Sequence, residues 1–345
     1  MPQPWERERH VAEAAIHRAA KLTKRVLSTV TEVAKHDASP VTVADFAAQA
    51  LMTSVLRAAI PRDSAFVGEE DAEVLRRDAG LRERVYGLFA AAQADGGDAQ
   101  ASVEQMLDLI DLGGRGTGGS RGRFWVMDPV DGTAAFLRGE QYAVSLALVE
   151  DGKEVVGVVA YPNLKFDAAG RIRESSVDTH GLGIMLSAAA GHGASIISLP
   201  SLSSPLIPQA LPQLDAPRRL ADAHIVDCAL NAPPSRAAVQ QLAARLGAAF
   251  PGTDVWSSHV RYAALVVGGG DLLVRVPGRK SCVWDHAGAQ LIYAEVGGRV
   301  TDLDGQAVDF GAGRHLSNNR GLLAAKRDIH EEILALAQEV MPKNS

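Results

Sequence analysis

The sequence is poor in cysteine and contains no long apolar run. Its two cysteines, Cys228 and Cys282, form no CxxC pair, which argues against a disulfide framework and against a thiolate zinc site. No stretch approaches the roughly 18 apolar residues that span a bilayer. The charged segment from Met1 to His10 lacks the apolar core of a secretory signal. We therefore expect a soluble, cytoplasmic protein without a membrane partner.

Basic residues are also fewer than acidic residues. The chain has 35 Lys and Arg against 41 Asp and Glu, a net charge of −6, so no basic excess is available to bind a nucleic-acid polymer or an anionic membrane. The 345 residues are 47% hydrophobic, which is ordinary for a folded chain, and they exceed what one hydrophobic core usually organises. We expect two subdomains, residues 1–165 and 166–345.

Apolar spacing predicts helices near the N-terminus and strands after them. From Val11 to Val30 apolar residues recur every three or four positions, which predicts a helix that stops at Asp37 to Pro40. The segment from Val41 to Ala44 is predicted to be extended and to lead into a second helix that ends at Pro61. Strands are predicted at Phe124 to Met127, Ala143 to Val149 and Val155 to Ala160, the last two joined by a hairpin turn.

A polar, glycine-dense segment, residues 78–122, is predicted to be an insertion with one helical stretch from Val103 to Ile110. Gly114, Gly116 and Gly119 fit the dinucleotide-binding GxGxxG pattern, and residues 118–122 fit the GxSxG pattern of a nucleophile elbow. Both motifs need a strand before the glycines and a helix after them. Here a polar loop precedes and an apolar strand follows, so we interpret the segment as a loop.

The second half of the chain predicts alternating strands and helices. Frequent Gly, Ser and Pro between Asn163 and Ala221 indicate the crossing between the two subdomains. Beyond it, strands are predicted at residues 223–228 and 272–276, and helices at residues 235–246, 261–267 and 284–296. This alternation is typical of α/β layering.

The most informative stretch is Trp125-Val126-Met127-Asp128-Pro129-Val130-Asp131-Gly132-Thr133. An apolar strand ends in two carboxylates, with a proline between them and a glycine that allows a tight turn directly after. Such a turn can aim Asp128 and Asp131 at one point, which suits Mg²⁺, and Thr133 is expected to start a helix whose N–H groups favour a phosphate. The simpler alternative is that both acids only close a turn.

Three further acids stand at the ends of predicted elements. Glu69 follows an apolar piece, Asp285 lies at a helix start and Asp45 opens the second helix. Taken singly, each fits a helix cap or a turn as well as it fits a metal ligand.

Together with their flanking residues, these acids resemble the inositol monophosphatase superfamily of metal-dependent, lithium-sensitive phosphatases. The resemblance runs from about Val11 to the end of the chain. It rests on Ser39-Pro40-Val41-Thr42-Val43-Ala44-Asp45, on Gly68-Glu69-Glu70, on the Asp128 to Thr133 motif and on Trp284-Asp285-His286-Ala287. It implies an α/β (α+β layered) fold of alternating helix and sheet layers, in which residues 1–165 bind metal and residues 166–345 complete the active site.

Within this superfamily, the chain looks most like the 3′(2′),5′-bisphosphate nucleotidase branch. The likeness rests on Phe136-Leu137-Arg138-Gly139, on Gln141-Tyr142-Ala143 and on the long insertion before the strand. That branch removes the 3′-phosphate from adenosine 3′,5′-bisphosphate, and 3′-phosphoadenylyl sulfate is a further candidate substrate. The implied partner of this chain is thus a small phosphorylated nucleotide, and we expect a monomer.

The resemblance also implies a role for each acid. One Mg²⁺ is expected at Glu69, Asp128 and the Val130 carbonyl, a second at Asp128, Asp131 and Asp285, and a weaker third at Glu69 and Asp45. Asp45 and Thr133 are expected to orient a metal-activated water that attacks phosphorus directly, without a covalent intermediate. Gly132 and Thr133 are expected to contact the substrate.

The remaining substrate contacts depart from the branch. Ser258, Arg261 and Arg275 match its Ser-x-x-Lys-Tyr segment and strand arginine, but Arg261 replaces the lysine. Further departures are Ser257 in place of an acid, Ala134 and Ala135 in place of Lys and Gly, and Gly288 within Ala287-Gly288-Ala289. Two alternatives therefore stay open: an inositol (poly)phosphate phosphatase of the same superfamily, and a catalytically silent binding or regulatory relative. We expect His286 to be structural.

Overall fold

The computed structural model describes residues 4–33, 40–63, 65–167, 170–200, 204–277 and 281–341. Within these ranges the chain forms ten α-helices, two 3-10 helices and twelve strands. The helices are α1 Glu6–Val33, α2 Pro40–Ala59, α3 Glu73–Arg77, α4 Ala79–Asp95, α5 Val103–Gly114, α6 Thr133–Phe136, α7 Pro233–Leu246, α8 Ser258–Val266, α9 Ala287–Glu295 and α10 Arg327–Val340. The 3-10 helices are Leu220–Asp222 and Val283–Asp285.

The strands form two sheets. Seven of them lie in chain order across the first sheet. Only β1 and β2 pair in parallel, and the other neighbouring strands are antiparallel. The seven strands are β1 Phe66–Gly68, β2 Arg123–Asp131, β3 Ala143–Glu150, β4 Lys153–Tyr161, β5 Ile184–Ala189, β6 Ala194–Ser198 and β7 Gln209–Ala210. The second sheet has the order β11-β12-β10-β8-β9, with β8 Ile225–Asp227, β9 Thr253–Asp254, β10 Leu272–Arg275, β11 Gly298–Thr301 and β12 Leu322–Lys326.

Helix and sheet layers alternate in the order α, β, α, β, α. Helices α1 and α2 pack on one face of the first sheet, α8 and α9 lie between the two sheets, and α7 and α10 cover the second sheet. The central strands are buried on both faces: Leu146 and Leu148 of β3 pack with α1 and α2, while Ala147 and Val149 pack on the other side. This two-sided burial explains why β3 and β4 are nearly continuous apolar runs. The predicted layered α/β fold is confirmed.

The prediction of an extended segment from Val41 to Ala44 is wrong, because α2 already begins at Pro40. Proline is tolerated in the first helical turn, where its missing N–H has no helical partner to lose. The predicted long first helix is confirmed as α1, but its stop at Asp37 to Pro40 lies largely outside the described residues. The predicted strands β2, β3 and β4 are confirmed, and the turn between β3 and β4 has Asp151 and Gly152 at positive φ.

The insertion is more ordered than predicted. Besides α5, it contains the 17-residue helix α4, which packs on α2. Its buried residues, Leu81, Val85, Phe89, Ala90 and Gln93, do follow a helical spacing, but the polar, glycine-dense composition of the whole segment indicated a loop. Gly114 ends α5, and Gly116 and Gly119 lie between α5 and β2, so the order of elements required by a dinucleotide-binding turn or a nucleophile elbow is absent there.

Strands β5, β6 and β7 were not predicted, because their flanking glycines and serines indicated a crossing between subdomains. Instead they extend the first sheet as far as Ala210. Beyond that point, β8, α7, α8, β10 and α9 confirm the predicted elements to within a few residues. The division at residue 165 into two subdomains stays a prediction.

Candidate active site

The end of β2 carries the two acids of the central motif. The pairing of β2 with β3 is regular up to Asp128 and shifts before Asp131, at the point where Pro129 supplies no N–H to the ladder. Gly132 then adopts a φ of +95°, which is open to glycine, and the one-turn helix α6 follows. The irregular strand end therefore leaves Asp128 and Asp131 at the same edge of the sheet.

The third carboxylate, that of Asp285, is far from the other two in the sequence. Asp285 closes the 3-10 helix Val283–Asp285, which packs on β2 and β3. One oxygen from each of Asp128, Asp131 and Asp285 lies within 4.8 Å of the others. The structure thus brings together three of the five acids that the sequence predicted as metal ligands.

Glu69 reaches this group through the parallel pairing of β1 and β2. Gly68 stands opposite Met127, so Glu69 and Asp128 follow at the same sheet edge, close enough for repulsion from Glu69 to raise the pKa of Asp128. The Gln49 side chain accepts from the Glu70 N–H at 3.1 Å and donates to the Glu70 carbonyl at 2.6 Å. Gln49 thereby holds the chain that carries Glu69.

Asp45 lies inside α2, not at its start as predicted, and is buried. Burial raises its pKa well above the ordinary value, and repulsion from Glu70 and Glu69 raises it further. Asp45 in turn contributes to the repulsion that acts on Asp128. All five predicted acids are therefore close enough to interact electrostatically.

The site is strongly electronegative. Burial, and then repulsion from Glu69, Asp131, Asp285 and Asp45, raises the pKa of Asp128 well above its usual range. Burial also raises the pKa of Asp285, although the guanidinium of Arg275 opposes this shift. Among the described residues, Oδ1 of Asp128 is buried without a hydrogen-bond donor. An all-oxygen donor set with an unpartnered buried carboxylate oxygen fits a hard divalent cation.

Asp131 is held by two donors that the sequence did not indicate as site groups. Its Oδ2 accepts the Ser257 hydroxyl at 2.5 Å and the backbone N–H of His259 at 2.6 Å. The His259 ring then donates from Nε2 to the carbonyl of Trp284 at 2.8 Å. The start of α8 therefore bridges Asp131 to the segment that carries Asp285, and no spacing pattern in the sequence indicates this bridge.

The predicted substrate residues lie beside the acids. Ser258 and Arg261 are one turn apart on α8, and the Ser258 hydroxyl accepts from Nη2 of Arg261 at 2.9 Å. Arg275 ends β10, and its Nη2 lies 3.7 Å from Oδ2 of Asp285. Thr133 is exposed in the first turn of α6, with its hydroxyl 3.5 Å from the Val130 carbonyl. Arg261 and Arg275 thus lie on the side of the site contributed by the second half of the chain.

His286 is not one of the converging groups. Its Nδ1 lies 3.3 Å from the hydroxyl of Tyr262, and the two rings meet edge to face. Burial, together with the nearby Arg275, lowers the pKa of His286 well below its ordinary value, so the ring is neutral. This environment agrees with the predicted structural role.

The comparisons with known proteins agree with this fold. The model of the inositol monophosphatase family matches residues 5–342. The 3′(2′),5′-bisphosphate nucleotidase of Emericella nidulans is 38% identical, with 98% of this chain and 99% of that protein covered. The protein of the same name from Schizosaccharomyces pombe is 35% identical, with coverages of 99% and 97%.

Solved structures show the same architecture. Inositol monophosphatase-II from Staphylococcus aureus has a TM-score of 0.59 at 18% identity, with 96% of this chain and 94% of that chain covered. SuhB of Mycobacterium tuberculosis has a TM-score of 0.57 at 22% identity, with coverages of 97% and 96%. The chain belongs to the inositol monophosphatase family. It is accordingly a metal-dependent phosphatase. Within the described part, no helix has both the length and the apolarity to cross a membrane.

Proposed function

We propose that the chain removes the 3′-phosphate from adenosine 3′,5′-bisphosphate, with 3′-phosphoadenylyl sulfate as a second substrate. The observation that carries this proposal is the convergence of Asp128, Asp131 and Asp285 in a chain whose relatives are named 3′(2′),5′-bisphosphate nucleotidases over nearly their whole length. A carboxylate cluster of this kind attracts an anionic substrate only when cations neutralise it.

Mg²⁺ is the metal we assign to the cluster, because it prefers carboxylate oxygens and leaves positions for water and phosphate oxygens. Glu69, Asp128 and the Val130 carbonyl are the ligands for one ion, Asp128, Asp131 and Asp285 for a second, and Glu69 with Asp45 for a third. When bound, the ions neutralise the negative charge that develops on the phosphate and lower the pKa of a water molecule.

Asp45 and Thr133 are the residues we assign to orienting the attacking water. The carboxylate of Asp45 would accept a hydrogen bond from the water, and the exposed hydroxyl of Thr133 would fix the direction of the water. Burial, together with repulsion from Asp285 and Glu69, raises the pKa of the nearby Cys282 thiol to about 11, which keeps this potential nucleophile protonated. Direct displacement by water needs no covalent enzyme intermediate.

Arg261 and Arg275 are assigned to the nucleotide's second phosphate, with Ser258 holding the Arg261 guanidinium. A guanidinium binds phosphate through two parallel hydrogen bonds, whereas lysine acts as a point charge. Gly132 is assigned to the substrate as well; its missing side chain also lets Ser257 pack against the turn, because a Cβ on Gly132 would lie 2.8 Å from the Ser257 Cβ.

The test is a comparison of kcat/KM for adenosine 3′,5′-bisphosphate and inositol 1-phosphate, with Mg²⁺ and after its removal. We expect Mg²⁺-dependent turnover with preference for the nucleotide. A preference for inositol 1-phosphate would favour the inositol phosphatase alternative, which the departures at Ser257, Ala134, Ala135, Arg261 and Gly288 support. The absence of phosphate release across a phosphomonoester panel would favour a catalytically silent relative. Lithium sensitivity, a monomeric state and a cytoplasmic location stay predictions.

A further inference from the structure

A polar cavity separate from the active site lies beside a glycine-rich loop. The proposed function uses neither the cavity nor the loop. We call residues 113–122 the glycine loop; its sequence is Gly-Gly-Arg-Gly-Thr-Gly-Gly-Ser-Arg-Gly. The cavity has a volume of about 730 Å³ and contains none of the five carboxylates of the active site in its lining. Its charged lining residues are Arg57, Arg76, Arg115, Arg121, Arg123, Asp108 and Asp111.

The cavity is positively charged in an otherwise acidic protein. Arg76 and Arg115 share one carboxylate, Oδ2 of Asp111, at 2.7 and 2.9 Å. Asp111 also accepts the backbone N–H of Ala72 through Oδ1 at 2.9 Å, so it is fully engaged. Asp108, which also lines the cavity, and Glu104 act electrostatically on Arg76 as well, so this arginine pair adds little net positive charge to the cavity.

Two further arginines carry the positive charge of the cavity. Arg57 and Arg121 are exposed, and neither has an ion-pair or hydrogen-bond partner within the described ranges. Nη2 of Arg123 lies 3.0 Å from Oε1 of Glu8 and 3.1 Å from Oδ2 of Asp63, so the charge of Arg123 is compensated. Arg123 lines the cavity without adding net positive charge. The guanidinium groups free to bind an anion are thus those of Arg57 and Arg121, beside the shared pair Arg76 and Arg115.

The glycine loop is held in one shape by Arg314. Nη1 of Arg314 donates to the carbonyls of Gly113 and Gly116 at 3.0 and 2.9 Å, and Nη2 donates to the carbonyl of Gly68 at 2.7 Å. Gly116 packs so closely on β1 that an added Cβ would lie 1.6 Å from the Phe66 carbonyl oxygen. The loop therefore presents its backbone to the cavity without having to become ordered when a ligand binds.

We propose that this cavity binds a small anion that carries at least two phosphate or sulfate groups. Arginine side chains bind such groups bidentately, and glycines let a backbone approach a phosphate closely. The site is an anion site formed by a helix-to-strand loop, not a dinucleotide-binding turn. Its volume accommodates more than one anionic group.

Binding at this cavity can be separated from binding at the active site. In the full chain without metal, the acidic cluster has no cation with which to hold an anion, whereas the arginine cavity keeps its charge. Titration calorimetry of the metal-free chain with inorganic pyrophosphate therefore reports on the cavity. The decisive variant is the double substitution Arg57→Gln and Arg121→Gln, which removes two exposed, unpaired side chains and leaves the fold intact.

We expect the metal-free chain to bind pyrophosphate, and the double variant to bind it at least about tenfold more weakly. Arg84→Gln removes one exposed positive charge from α4 outside the cavity, and Arg261→Gln removes a buried positive charge from the active site; both are expected to leave the affinity within about twofold. Inorganic phosphate and sulfate are expected to bind at least about tenfold more weakly than pyrophosphate.

Three results would overturn the proposal. The first is the absence of pyrophosphate binding at millimolar concentration. The second is an affinity that the double variant leaves unchanged or that Arg84→Gln or Arg261→Gln weakens equally. The third is equal affinity for phosphate, sulfate and pyrophosphate, which would show that one anionic group suffices.

Discussion

The hydroxyl of Ser257 lies 2.5 Å from Oδ2 of Asp131, and both residues are buried. The same hydroxyl accepts the backbone N–H of Val260 at 3.0 Å, so its own proton is available to Asp131. Ser257 thus caps α8 and at the same time fixes the rotation of a carboxylate of the proposed metal site. Oδ2 of Asp131 is engaged in this way, which leaves Oδ1 for a cation.

Replacing Ser257 tests this arrangement. Ser257→Ala removes the hydrogen bond that orients Asp131, and we expect the Mg²⁺ affinity to fall about tenfold, because groups that orient metal ligands typically contribute on this scale. The loss of the helix cap is also expected to lower the free energy of unfolding by about 1 kcal/mol. Metal titration by calorimetry measures the first effect separately from the second. The matched control, Ser258→Ala, is expected to keep the wild-type Mg²⁺ affinity; equal losses in both variants would contradict the role of Ser257.

The central acid is tested by Asp128→Asn. This change removes a carboxylate shared by two of the proposed ions, and we expect turnover to fall by more than about 100-fold. The metal-free variant is expected to melt at the same temperature as the wild type or above it, because the change removes a buried charge repelled by its neighbours. Thermal denaturation and steady-state assays check the two parts. Asp95→Asn, which alters an exposed carboxylate on α4, is the control; wild-type turnover in Asp128→Asn would refute the metal assignment.

Stability of the metal-free chain is expected to depend on pH through Glu69. Burial and repulsion from Glu70 raise the pKa of Glu69 from 4.5 to about 8. Between these values the folded chain binds more protons than the unfolded chain, so the free energy of unfolding falls as the pH rises. One such group contributes a slope of at most about 1.4 kcal/mol per pH unit. Denaturant titrations at pH 5 to 8.5 measure this slope.

Mg²⁺ is expected to remove or reverse the Glu69 contribution, because bound metal requires deprotonated carboxylates. Glu69→Gln should reduce the slope in metal-free conditions by up to about 1.4 kcal/mol per pH unit and weaken its response to Mg²⁺. Glu154 provides a comparison: burial raises its pKa to about 7, and the five acids of the cluster are not among the causes of its shift. Glu154→Gln is expected to reduce the metal-free slope while leaving the response to Mg²⁺ intact. A slope that is identical in wild type and Glu69→Gln would speak against the assignment.

Substrate preference is expected to depend on Arg261. Arg261→Gln removes a proposed contact to the second phosphate of the nucleotide, so KM for adenosine 3′,5′-bisphosphate should rise on the order of tenfold with little change in kcat. Arg261→Lys restores the residue typical of the branch and should retain most of the affinity. Inositol 1-phosphate has no second phosphate, and its KM should not change. A parallel rise for both substrates would indicate a general disturbance of α8.

The contact between α9 and β4 predicts a stability change at Gly157. A Cβ added there would lie 2.3 Å from the Gly288 carbonyl oxygen, so Gly157→Ala must separate the helix from the sheet. We expect a loss of about 1–3 kcal/mol in the free energy of unfolding. Gly87→Ala is the opposite case: the glycine lies inside α4 with nothing within 4 Å of its added Cβ, and a gain of up to about 1 kcal/mol is expected. Urea denaturation of both variants decides the comparison.

Local sequence patterns determined much of this protein. The apolar period defined α1, the continuous apolar runs defined β3 and β4, and the Asp-Pro-x-Asp-Gly motif indicated that Asp128 and Asp131 share one strand end. These features depend on residues close together in the chain, where backbone preferences and hydrophobic periodicity act directly. The elements that were not predicted, α4 and the strands from β5 to β7, lie in segments whose polar residues, glycines, serines and prolines indicated loops, and packing against the neighbouring layers orders them.

Tertiary structure alone decided how the distant acids meet and what holds them. Asp285 approaches Asp131 because α8 bridges the two through Ser257 and His259, and Glu69 lies beside Asp128 because β1 pairs in parallel with β2. The arginines of the second cavity likewise come from α2, α3, the glycine loop and β2. Hydrogen bonds and charges act over a few ångströms regardless of separation along the chain, so their partners are defined only once the layers have packed.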